Sequence, residues 1–220
     1  MDRTKIKGVI FDVDGVLLDS MAIWTDLGAR YLMSLGRTPE EGLAEILFSM
    51  SMEQGAAYLN ERYDLGREQS EIMDGLGDLL RDFYFYEVAA KPDALELLQC
   101  LSAAGVKMTA ATSSPREHIE RALSRNGLLG FIDRMFTVAE VGVSKHDPEI
   151  YHLASKSMGT APRETYVFED SLYALETAAA AGYHTVGVFD AAGEADQEGL
   201  REKSEIYITN LGEFIDRADF

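Results

Sequence analysis

Ile6-Lys7-Gly8-Val9-Ile10-Phe11 runs directly into Asp12-Val13-Asp14-Gly15, and this junction constrains the fold more than any other stretch of the chain. The first segment is β-branched and aromatic, which predicts a strand covered on both faces. Such strands belong to parallel sheets, and open α/β sheets place their chemistry beyond the carboxyl ends of the strands. Two carboxylates one residue apart on a tight loop repel each other, and a hard divalent cation bound through oxygen relieves the repulsion. An Asx-type turn leaving a strand, with Gly15 there for backbone freedom, accounts for the same residues structurally. The four residues alone do not separate these readings, so the other strand ends have to.

From Met21 to about Tyr86 the strand signals stop. Trp24, Leu27, Tyr31 and Leu35 recur at helical spacing, and Gly36 with Pro39 closes that element. Leu43, Ile46, Leu47 and Met50 form a second stripe; Ala56, Tyr58 and Leu59 a third; Ile72, Leu76, Leu79, Leu80 and Phe83 a fourth. The pattern predicts roughly four packed helices interrupting an α/β alternation, as an inserted cap domain would.

The alternation resumes after Lys91-Pro92. A helix over 94–104 carries Leu95, Leu98 and Leu101 on one face and is closed by Gly105. Residues 106–112 form a strand, and Ser114-Pro115-Arg116-Glu117 matches a capping box that opens the next helix. The amides at that N-terminus, with the hydroxyls of Thr112 and Ser113, make a cradle for a phosphoryl group. Phe136-Thr137-Val138 reads as a strand, and Asp147-Pro148 starts a further helix just after Lys145. Tyr166-Val167-Phe168 is a buried strand leading into Glu169-Asp170-Ser171, followed by an alanine-rich helix closed by Gly182. Residues 185–188 and 206–208 complete the sheet, and the polar stretch from Ala191 to Lys203 reads as surface.

Four strand ends thus carry Asp12/Asp14, Thr112/Ser113, Lys145 and Glu169/Asp170. In a parallel sheet, ends of one kind lie along one edge, where these groups can converge on magnesium and a phosphoryl group. Composition bounds the partners. With 220 residues and a net charge of −18, the chain suits one domain carrying an insertion and is poorly suited to nucleic acid or anionic membranes. No apolar run approaches the ~20 residues of a membrane span. The single cysteine, Cys100, forms no internal bridge, and a reducing cytoplasmic setting is the expectation.

Taken together, Asp12-Val13-Asp14-Gly15-Val16-Leu17-Leu18-Asp19-Ser20, Ala111-Thr112-Ser113-Ser114, Lys145 with Pro148 and Tyr151, and Glu169-Asp170-Ser171 resemble the haloacid dehalogenase superfamily. The likeness is to its β-phosphoglucomutase-like and phosphoglycolate-phosphatase-like branch. The resemblance implies a Rossmann-like parallel sheet between helices (residues 1–19 and 89–220) with a four-helix-bundle cap over 20–88. Hinges would lie near Leu18–Met21 and Glu87–Pro92. It also implies that Asp12 is the nucleophile and Asp14 the general acid and base. Thr112, Ser113 and Lys145 would grip phosphate, and Asp12, Asp14 through its carbonyl, Glu169 and Asp170 would surround Mg2+. A small phosphorylated metabolite would be the substrate.

Departures from the family narrow the expectation. Asp14 argues against dehalogenase chemistry. No lysine lies between Lys7 and Lys91 to form the Schiff base of the phosphonate-cleaving relatives. Phosphoglucomutase relatives carry a histidine where this chain has Trp24, and an arginine in the stretch here reading Phe48-Ser49-Met50-Ser51-Met52. The expectation is therefore a phosphatase. A sugar phosphomutase and a non-catalytic binding protein are the alternatives. His146 reads as a surface residue or as a group reaching the leaving group.

Overall fold

The computed structural model describes residues 6–48 and 50–217, without the side chain of Phe48. Ser49 and that side chain, both part of the stretch compared with mutases, lie outside the described residues. The chain divides into two compact units, Met1–Ser20 with Val88–Phe220, and Met21–Glu87.

The first unit is built on six parallel strands: β1 (Gly8–Phe11), β2 (Lys107–Thr112), β3 (Arg134–Thr137), β4 (Thr165–Glu169), β5 (His184–Val188) and β6 (Ile206–Ile208). They are ordered β3-β2-β1-β4-β5-β6, so β1 lies between β2 and β4. Phe11 is in register with Ala110 on one side and Phe168 on the other, which brings three strand ends abreast. Both faces are covered, as a parallel sheet requires. Ile10, Ala111 and Val167 pack with Ile150, Tyr151 and Ala154 on one face. Elsewhere the ring of Phe168 meets Phe11 at 4.9 Å and Phe214 at 4.8 Å.

The helices of this unit are α5 (Ala94–Ala103), α6 (Arg116–Arg125), α7 (Val138–Val141), α8 (Glu149–Met158), α9 (Leu172–Ala180), α10 (Gln197–Lys203) and α11 (Gly212–Arg217), numbered after the four of the other unit. Several differ from their sequence reading. Val138 opens α7 instead of extending β3, because the Thr137 hydroxyl accepts the amide of Glu140 and caps a helix there. In α5 the buried positions are Ala94, Leu97, Leu98 and Leu101, while Leu95 is exposed. The stretch read as surface contains α10, whose Leu200 is fully buried.

The second unit comprises α1 (Ile23–Ser34), α2 (Leu43–Phe48), α3 (Met52–Arg62) and α4 (Gln69–Asp82), followed by a π-helical turn, Phe83–Glu87. Ile23, Leu27, Tyr31 and Leu32 form the buried side of α1, and Trp24 is exposed instead of joining that stripe. At its N-terminus α3 carries a full capping box from Ser51 and Gln54. Among the described residues no helix is long and apolar enough to cross a membrane.

Where the chain leaves the first unit and where it re-enters, the backbone is paired. The Asp19 amide donates to the Ala89 carbonyl and the Lys91 amide to the Leu17 carbonyl, around an antiparallel bridge between Leu18 and Ala90.

Candidate active site

Asp12 follows the last residue of β1, and its amide continues the ladder by donating to the Phe168 carbonyl at 2.9 Å. Glu169 ends β4, so the two side chains arise on neighbouring strands. Lys145, from the loop before α8, bridges them. Its Nζ lies 2.8 Å from Asp12 Oδ1 and 2.8 Å from Glu169 Oε1. The hydroxyl of Tyr151, on α8, donates to the same Glu169 oxygen at 2.8 Å. Asp170 completes the group: one ligand oxygen each from Asp12, Glu169 and Asp170 falls within 4.8 Å of the others. All four charged residues are buried.

Three carboxylates sharing one ammonium leave an excess of negative charge in a dry place. Burial therefore pushes Asp12 well above the ordinary carboxylate range despite Lys145, and raises Glu169 as well. Asp170 is pushed up to about 7, first by burial and then by the charge of Asp12. For Lys145, burial opposes the ammonium, but Asp12 and Glu169 together outweigh it and hold its pKa above the usual value. Among the described residues, Glu169 Oε2 and Asp170 Oδ2 are buried oxygens without a hydrogen-bond partner. Surplus negative charge and unpartnered hard oxygens fit an oxygen-loving divalent cation.

The other sequence-predicted residues divide. The Asp14 carboxylate is held by two hydroxyls. Its Oδ1 accepts from the Ser20 hydroxyl at 2.7 Å and its Oδ2 from the Ser114 hydroxyl at 2.6 Å. The turn that carries it relies on Gly15, whose φ of 73° is the left-handed region. Thr112 is buried at the end of β2, and its Oγ1 accepts the Ser114 amide at 3.0 Å; Ser113 is exposed. His146 is exposed, with its ring 4.3 Å from that of Tyr173, at the edge of a surface cleft of about 620 Å3 on α8 and α9.

The capping box read at Ser114 is absent. Pro115 has ψ 135°, outside the helical region, and no side chain caps α6. The Ser114 hydroxyl is turned to Asp14 instead, donating to its Oδ2. At Asp147-Pro148 the same sequence logic does operate: Asp147 Oδ1 accepts the Glu149 amide at 2.9 Å. The roles of Ser20 and Ser114 as partners of Asp14 were missed, although both serines lie within the motifs that carry the family likeness. Tyr151 carried a signal as well, standing six residues after Lys145.

Residues 6–182 match the haloacid dehalogenase-like hydrolases. The chain is 29% identical to a phosphorylated carbohydrates phosphatase of Thermotoga maritima over 182 residues, 82% of this chain and 84% of that protein. It is 33% identical to a validoxylamine A 7'-phosphate phosphatase of Streptomyces hygroscopicus subsp. limoneus, covering 94% of this chain and 98% of the other. A crystal structure of a candidate β-phosphoglucomutase from Thermotoga maritima superposes with a TM-score of 0.86 at 25% identity, covering 96% of this chain and 98% of that one. With a strand order that sets Asp12 beside Glu169 and a match running from β1 through α9, the chain belongs to the haloacid dehalogenase-like hydrolases.

Proposed function

We propose that the protein is a magnesium-dependent phosphatase that hydrolyses a small phosphate monoester, such as a sugar phosphate, through an aspartyl-phosphate on Asp12. The carrying observation is the buried carboxylate cluster spanned by Lys145. In that setting a carboxylate oxygen of Asp12 attacks phosphorus and the bond to the leaving oxygen breaks. Asp14 gives its proton to that oxygen, then takes one from the water that attacks the acyl phosphate, releasing inorganic phosphate and restoring Asp12. Lys145 offsets charge on the transferring group. The Thr112 oxygen accepts an amide, which leaves its hydroxyl proton for a phosphoryl oxygen, and Ser113 offers a second donor.

Asp12, Glu169 and Asp170, with the Asp14 carbonyl, would hold Mg2+, which when bound neutralises charge on the phosphoryl oxygens. The helical unit has the part of a cap that selects the leaving group, an assignment that rests on the family resemblance. The carbohydrate-phosphate phosphatase among the relatives supports the substrate class.

A phosphomutase reading has the Thermotoga structure in its favour. The two separate on one measurement, since a phosphatase releases inorganic phosphate and a mutase returns isomerised sugar phosphate without it. Phosphate release from a panel of sugar phosphates, with Mg2+ or with chelator, is expected to need Mg2+. Asp12→Asn is expected to lower turnover by at least about 1000-fold, the scale of losing a covalent nucleophile, with the fold retained. Unchanged turnover in that variant overturns the proposal.

A further inference from the structure

The loop after β5 is held by one buried ion pair. Lys91 Nζ lies 2.6 Å from Asp190 Oδ2, with both side chains largely buried, and donates to the Phe189 carbonyl at 3.0 Å. The other Asp190 oxygen accepts the Ala192 amide at 2.8 Å, and the Asp190 carbonyl accepts from the Gln197 side chain. Two residues on, Glu194 Oε2 accepts the amide of Leu172, at the start of the helix that follows Asp170.

Between these anchors lies Gly193. A Cβ built there would stand 2.9 Å from Asp170 Oδ2, closer than Cβ contacts come, and a tight 3.1 Å from Asp190 Cβ. Asp170 Oδ2 is also, among the described residues, a buried oxygen without a hydrogen-bond partner. The backbone of Gly193 is therefore a wall against the oxygen that the acid cluster leaves open, and the Lys91–Asp190 pair fixes where that wall stands. None of these three residues belongs to the cluster itself.

We infer that Lys91, Asp190 and Gly193 are positioning residues for Asp170, so that a staple outside the acid cluster sets how tightly the site holds its cation. This rests on the magnesium reading above. Residues behind a metal's own ligands fix ligand orientation, and their loss weakens metal binding by about 10- to 100-fold.

The test is calorimetric titration of Mg2+ into the substrate-free, full-length protein, comparing wild type with Gly193→Ala and Lys91→Met. Circular dichroism checks that each variant is folded. Both variants are expected to bind Mg2+ at least about tenfold more weakly. Turnover should be restored at high Mg2+, with KM for the phosphate ester unchanged. Should Lys91→Met fail to fold, Gly193→Ala decides, because it adds one methyl at a partly exposed position. Wild-type Mg2+ affinity in folded Gly193→Ala overturns the inference. Absence of Mg2+ uptake by the wild type overturns the magnesium reading and takes the inference with it, a result distinct from the first.

Discussion

Glu169 has one oxygen with two donors, Lys145 and Tyr151, and one that has none among the described residues. The asymmetry leaves Oε2 as the Glu169 oxygen open to a further donor or a cation. Tyr151→Phe keeps the ring within the α8 core and removes only the hydroxyl, so its effect reports the hydrogen bond. A bond to a charged acceptor is worth about 1.5–3 kcal/mol, and urea unfolding of the metal-free variant is expected to show a loss in that range. Stability equal to wild type would mean that Lys145 alone sets Glu169. At this scale, what gathers around Lys145 was legible because acids at strand ends and a lysine at a helix entrance are local patterns. The Ser114 contact was not. Its acceptor, Asp14, is 100 positions away, whereas the capping box that it imitates is complete within four residues.

Among elements, the strands were read to within a residue or two, since a strand covered on both faces is written as an unbroken apolar run. Short helices were harder. Helix α10 has seven residues and a single buried side chain, Leu200, so it offers no periodicity to detect. Its packing is nonetheless close: a Cβ on Gly187 of β5 would come within 3.3 Å of Leu200 Cγ. Leu200→Ala is therefore expected to cost about 2–5 kcal/mol, the range for buried leucines, measurable as a lowered denaturation midpoint. A change below about 0.5 kcal/mol, typical of surface sites, would return this stretch to the role its composition suggests. Trp24 and Leu95 err in the opposite direction. Each fits an apolar stripe by spacing, yet lies at the stripe's margin, where rotation of the helix decides and sequence does not.

For the molecule as a whole, acidity ties the proposed cation to pH. The carboxyl of Asp170 is raised from 3.8 to about 7, chiefly by burial. Between those values the metal-free folded state holds a proton that the unfolded chain has released. The stability this contributes is complete below about 3.8 and is lost as pH rises through about 7. A bound cation needs the ionised acid, so its stabilising effect grows over the same interval. The gap between unfolding temperatures in Mg2+ and in chelator is expected to widen from pH 5.5 to pH 8, as followed by thermal scans (roughly the span around that pKa). A gap independent of pH would place the proton elsewhere.

The antiparallel rungs at Leu17–Asp19 and Ala89–Lys91 have an architectural corollary. Because departure and return are neighbours, a segment of any length can be inserted between them without parting these rungs. Lineages could exchange one such attachment for another, large or small, and the central strands would keep their register throughout. Novelty in what is recognised would then evolve separately from the machinery that breaks the bond.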